Sequence, residues 1–154
     1  MTVTSWRIQN PLTLVMPLKP GHAANVEGLI GAMPATADNP ILKALEGTRL
    51  VHFARFVLLK GDRLGVDRDY LGVFTTFDGD FDDYMLAFIQ RVGQVFDVIL
   101  EHVEGAEPLI PVRDNPNLFV DYVRANDMGV LGEFYSAYPD MGVLDVRRAT
   151  RAIR

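Results

Sequence analysis

Two basic side chains, His52 and Arg55, lie within an otherwise apolar segment from Leu50 to Leu59, with the sequence LVHFARFVLL. A buried histidine or arginine must find hydrogen-bond partners, because an unpaired polar group costs free energy in an apolar interior. If the segment is a strand, the two side chains point to opposite faces of the sheet. One would then face the covering helices and the other the opposite face, and the spacing leaves open which is which.

Polar side chains elsewhere could complete a site with these basic groups. Glu133 and Tyr135 share one face of the segment Val130 to Tyr138, and Thr75 or Thr76 could extend the same pocket. An imidazole can act as an acid or base near neutral pH, and a guanidinium can bind an anionic group. The functional hypothesis takes the following residues as catalytic: His52, Arg55, Glu133 and Tyr135.

A structural alternative gives the same residues no chemistry. In it Arg55 and Glu133 form an ion pair and His52 is a hydrogen-bonded residue of the core, since buried polar side chains often contribute to packing and specificity. A pocket with a few polar groups on apolar walls is also typical of a simple binding protein. The sequence leaves both alternatives open.

The three histidines are far apart in the sequence, and none has a partner four residues away, the spacing that places two ligands on one helical face. We therefore predict no zinc site. His102, flanked by Glu101 and Glu104, is typical of a solvated helix end. Because a haem needs only one axial imidazole, His102 is also the candidate cofactor-binding residue.

Apolar and β-branched runs predict four strands. The first is Leu12 to Met16, and the second and third are Leu50 to Leu59 and Tyr70 to Phe77, which a short charged loop joins as an antiparallel hairpin. The fourth is Val130 to Tyr138, which Pro139 ends.

Helical periodicity and capping signals predict the intervening helices. The clearest runs from Phe81 to Val103, with Asp80 as its N-cap. Others are predicted at these positions: His22 to Met33, a short helix after Asn39-Pro40, another after Asn115-Pro116, and a terminal helix from Val143 to Arg154.

Composition excludes several classes of function. The chain of 154 residues is expected to form one domain, 1–154, and its net charge of −5 opposes nucleic-acid binding. It has no cysteine, which excludes disulfides and thiolate metal sites. No apolar run approaches membrane-spanning length and no leader is evident, so we expect a cytoplasmic protein without a membrane partner.

The predicted order, in which LVHFARFVLL and YLGVFTTFDG lead into a long amphipathic helix, resembles the ferredoxin-like unit of the dimeric α/β-barrel superfamily. The resemblance implies an α+β fold of β-α-β-β-α-β order with an extra helix before the last strand. A four-stranded antiparallel sheet would carry helices on one face, and its other face would meet the sheet of a second copy to close a barrel. The apolar character of both faces of the second strand agrees with a covered sheet.

That superfamily includes haem enzymes and cofactor-free monooxygenases. The resemblance therefore implies a homodimer with a pocket for a small hydrophobic molecule, an oxidoreductase in one interpretation, with the cofactor left unknown. The alternative is a non-catalytic ligand-binding or assembly protein of the same fold.

Overall fold

The computed structural model of the chain describes residues 8–153, and among them three strands form one antiparallel sheet. The strands are β1 (Gln9–Pro17), β2 (Val51–Leu59) and β3 (Tyr70–Asp78). Their spatial order is β1-β3-β2, so β3 is central and pairs with both neighbours. The predicted hairpin of the second and third strands is confirmed.

The helices have the following bounds: α1 Ala23–Gly31, α2 Pro40–Thr48, α3 Gly61–Leu64, α4 Phe81–Leu100, α5 Pro116–Asn126 and α6 Val143–Ile153, with a 3₁₀ turn at Glu107–Leu109. Capping side chains set the starts of α2 and α4 as predicted, whereas Asn115 precedes α5 without a side-chain cap. The Asn39 side chain accepts hydrogen bonds from the backbone N–H groups of Ile41 and Leu42, and Asp80 accepts one from Asp83. None of the helices in the described residues is long and apolar enough to span a membrane.

The hydrophobic core lies between one face of the sheet and the helices. Alternate residues of β1 and β3, such as Leu14 and Val73, are buried against the apolar face of α4. Aromatic rings join α4 to α5, where Phe119 stacks on Phe88 with centroids 5.9 Å apart. On the opposite face of the sheet Phe53 and Arg55 are exposed, so this part of the face is open to solvent.

The predicted fourth strand is absent, so the four-stranded sheet and the β-α-β-β-α-β order are wrong. Beyond α5 the chain meets β1 through a bridge between Leu14 and Asp127 and a 2.8 Å hydrogen bond from Met128 N to Thr13 O. It returns to the start of β1 through the Gln9 side chain, which donates to Tyr138 O and accepts from the Ser136 hydroxyl, but it forms no strand ladder there. Gly129 and Gly132 then adopt positive φ angles of 72° and 74°, which turn the backbone away from an extended path.

The sheet is open, which also makes the predicted barrel architecture wrong. The α+β class remains, with a sheet of three strands. The strand prediction for Val130 to Tyr138 relied on side-chain composition, whereas a strand also needs a continuous extended backbone beside its neighbour.

Candidate functional site

Six side chains form a two-row patch on the open face of the sheet. The register places Phe74 between Thr13 of β1 and Arg55 of β2. Thr76 lies in the next row between Pro11 and Phe53. Because alternate residues of a strand share a face, all six side chains point away from the helices.

The Arg55 guanidinium lies over the Phe74 ring, with its carbon 5.3 Å from the ring centroid. The Phe74 ring packs directly over Gly72, and a β-carbon at position 72 would lie only 2.7 Å from that ring. Glycine at 72 therefore allows the ring to lie close to the strand. Arg55 is exposed and forms no ion pair within residues 8–153, so its charge is available to a ligand.

These residues line a shallow cleft of about 400 Å³. Its walls are mainly apolar, from Pro11, Phe53 and Phe74, and its polar groups are the guanidinium and the hydroxyls of Thr13 and Thr76. The Phe53 side chain is 73% exposed, although it belongs to a strand. An aromatic wall beside a free cation can bind an aromatic anion.

His52 lies apart from this cleft and has a structural partner. Its Nε2 is 2.5 Å from Oδ1 of Asp78, and Oδ2 of Asp78 accepts a 2.7 Å hydrogen bond from the backbone N–H of Val143, the first residue of α6. The His52 side chain is only 6% exposed. The cluster His52–Asp78 therefore attaches the end of the sheet to the start of α6.

A β-bulge places His52 beside Asp78. Val51 pairs with Phe77 and Phe53 pairs with Thr76, so residue 52 is an extra residue without a cross-strand partner. Side chains alternate between the two faces of the sheet on each side of a bulge, but the alternation does not continue across it. Counting positions from His52 to Arg55 therefore does not show whether their side chains lie on opposite faces.

The other predicted site residues do not gather around Arg55. Tyr135 is 84% exposed and Glu133 is exposed, and both lie in the irregular segment that follows α5. The predicted ion pair between Arg55 and Glu133 is absent from the described residues, where Arg55 contacts Phe74 instead. Thr75 is buried and accepts a 3.1 Å hydrogen bond from the hydroxyl of Tyr84.

The pKa values of two tyrosine hydroxyls are raised by burial rather than by a catalytic neighbour. Burial raises the pKa of Tyr84 to about 12, and the hydrogen bond with Thr75 offsets that effect only in part. Burial likewise raises the pKa of Tyr122 to about 12. Both groups stay protonated near neutral pH, which indicates structural roles in the core.

His102, the predicted cofactor-binding residue, has a partner that the sequence did not indicate. Its Nδ1 lies 3.0 Å from Nδ1 of His22, and both rings are half-buried. The two residues are 80 positions apart, which no local spacing rule detects. Haem ligation by His102 stays a prediction.

Comparisons of the chain with models of known protein families, with curated proteins and with solved structures found no significant match. The resemblance to the dimeric α/β-barrel superfamily has no support from them, and the four-stranded sheet on which it depended is absent.

Proposed function

We propose that the protein binds a small aromatic carboxylate in the cleft on the open face of its sheet. The observation that supports this most directly is the exposed Arg55 guanidinium, which lies over Phe74 without a carboxylate partner in the described residues. A ligand carboxylate can accept two parallel N–H hydrogen bonds from a guanidinium. The ligand supplies the anion that no described residue places there.

The apolar walls define the rest of the ligand. The ring of Phe53 is 73% exposed, and covering it would remove apolar surface from water. A flat aromatic ring would pack against Phe53 and Phe74, while the hydroxyls of Thr13 and Thr76 could accept or donate one hydrogen bond each. The cleft volume of about 400 Å³ suits a molecule of one or two rings.

Binding without catalysis is the activity that we propose. The imidazole of His52 could have served as an acid or base, but its side chain is 6% exposed and hydrogen-bonded to Asp78. The four residues predicted as catalytic are also divided between separate places on the molecule. An oxidoreductase activity stays a prediction without a supporting contact.

The binding of benzoate and naphthoate to the protein is measured by titration calorimetry. We expect saturable binding that the neutral analogue benzamide does not reproduce and that cyclohexanecarboxylate reproduces only weakly. Arg55→Ala should weaken benzoate binding at least about tenfold, as loss of a charge-assisted hydrogen bond implies, and Arg55→Lys should restore only part of it. Arg63→Ala, which removes an exposed arginine outside the cleft, is the matched control.

Two results would refute the proposal. One is the absence of saturable binding of either aromatic carboxylate to the wild-type protein. The other is equal affinity of the wild-type and Arg55→Ala proteins, because binding would then take place elsewhere. Far-ultraviolet circular dichroism of each variant shows that the fold is retained.

A second candidate function is self-association through the free edge of β2. In the described part of the chain, β2 is hydrogen-bonded to β3 alone, so its outer edge presents unpaired backbone groups. Arg55 is the one charged residue among the nine residues of this strand, apart from the titratable His52. A single charge protects an edge strand only weakly against pairing with another strand. Such an edge is self-complementary when two copies pair antiparallel about a two-fold axis.

Light scattering after gel filtration tests this candidate. A homodimer would have twice the 17.2 kDa mass of one chain. Val57→Lys places a charge on the free strand and should give the single-chain mass, whereas Val66→Lys alters a 47% exposed valine outside β2 and should leave the dimer intact. A wild-type protein at 17.2 kDa would exclude the candidate without affecting the binding proposal.

A further inference from the structure

The pair His22 and His102 lies outside the cleft, where two separate parts of the chain meet. His22 is the N-cap residue of α1, and His102 follows α4 in the turn that leads to the 3₁₀ helix. Their Nδ1 atoms are 3.0 Å apart and their ring planes are inclined at 54°. Both rings are half-buried, so one side of the pair remains accessible from solvent.

We infer that His22 and His102 together bind one divalent copper or nickel ion through their Nδ1 atoms. Two imidazole nitrogens at about 2.0–2.1 Å from one ion are about 2.9 Å apart if they subtend a right angle, and about 3.35 Å apart at the tetrahedral angle. The observed separation of 3.0 Å is that of a hydrogen bond in which one Nδ1–H donates to the other Nδ1, and it is also close to the right-angled value. The ion would therefore replace the proton that the two nitrogens share. Right-angled nitrogen pairs belong to the square-planar and tetragonal sites that Cu²⁺ and Ni²⁺ prefer.

The backbone holds both histidines in place. Lys19 N donates a 2.9 Å hydrogen bond to His102 O, and His22 N donates one of 3.0 Å to Lys19 O. Glu104 N also donates to Pro17 O, so the turn from His102 to Glu104 is joined at two points to the segment that leads into α1. The backbone positions of the two histidines are therefore fixed, and ion binding requires the rings to turn until both Nδ1 lone pairs point at one ion. A site that is held in advance has less ordering entropy to lose on binding.

The protein supplies two of the ligands for this ion. Within residues 8–153 no group of three or more His, Cys, Asp or Glu side chains is arranged to hold a metal. Water or a small added donor would occupy the other positions. The ammonium group of Lys19, whose backbone contacts both histidines, is paired with Glu107 at 2.8 Å, which reduces its repulsion of a cation.

The test is a titration of untagged protein with Cu²⁺ at pH 7.5, with glycine as a competing ligand. We expect one tight site per chain in this titration. In a sample without glycine we expect an electron paramagnetic resonance spectrum with splitting from two imidazole nitrogens. His22→Gln and His102→Gln should each weaken binding by more than about tenfold, the loss that even an outer-shell partner of a metal can cause. The double variant should bind Cu²⁺ about as weakly as either single variant, because one substitution already removes the chelate. The second substitution should therefore not cause a further loss of comparable size.

His52 is present in all of these proteins, so any copper that it binds is the same in the wild type and the variants. Its Nε2 is already hydrogen-bonded to Asp78. Equal copper affinity of the wild-type and double-variant proteins would overturn the inference, as would a one-nitrogen spectrum of the wild type. Circular dichroism without metal shows that each variant is folded. Weaker binding by a folded His22→Gln protein supports the site.

Discussion

Removing the Asp78 carboxylate should destabilise the protein far more than removing an exposed carboxylate of the same type. In Asp78→Ala the Nε2 of His52 and the N–H of Val143 both lose their partner. A hydrogen bond to a charged group contributes about 1.5–3 kcal/mol, so the two together contribute about 3–5 kcal/mol if they partly overlap. That is a large share of the roughly 5–15 kcal/mol by which a domain is stable.

Asp82→Ala is the matched control, because Asp82 also forms an ion pair, in this case with Arg124. The side chain of Asp82 is 77% exposed and that of Arg124 is 57% exposed. An exposed pair contributes about 0–1 kcal/mol. Urea denaturation followed by circular dichroism gives the free energy of unfolding of each variant. Hydrogen exchange should also show faster exchange of the α6 amides in Asp78→Ala. Equal destabilisation by the two substitutions would refute the structural role of the His52–Asp78 cluster.

Three further outcomes are expected. Gly142→Ala should lower the free energy of unfolding, measured in urea, by about 1–3 kcal/mol, because the new β-carbon would lie 2.9 Å from Oδ2 of Asp78. A β-carbon at position 28 would have no atom within 4 Å, so Gly28→Ala should be neutral or stabilising. Tyr84→Phe should cost about 1 kcal/mol through loss of its hydrogen bond to Thr75. Because burial raises the pKa of Tyr84 to about 12 from 10.0, its contribution to stability is complete below pH 10 and is lost as the pH rises toward 12. Unfolding curves of Tyr84→Phe should show a smaller loss over this range than those of the wild type, because only Tyr122, whose pKa burial also raises to about 12, then remains.

Local signals in the sequence determined most of the helices and the central hairpin. Asn39 and Asp80 act through hydrogen bonds to residues two or three positions away, so their spacing is visible in the chain itself. The β2–β3 pairing follows from two apolar runs joined by a short connection. The amphipathic pattern of α4 likewise identified the face that packs on the sheet.

Only the tertiary structure decided where the chemistry-bearing residues meet. His22 and His102 become neighbours because the start of α1 is hydrogen-bonded to the turn after α4, a contact between residues 80 positions apart. A bulge directs His52 to Asp78, and the sequence predicted only regular alternation. Val130 to Tyr138 has the composition of a strand, but glycines with positive φ interrupt its extended path, and it meets β1 through side-chain hydrogen bonds of Gln9 rather than through a strand ladder. Propensity acts on single residues, whereas strand pairing, bulges and side-chain clusters depend on the path of the whole backbone.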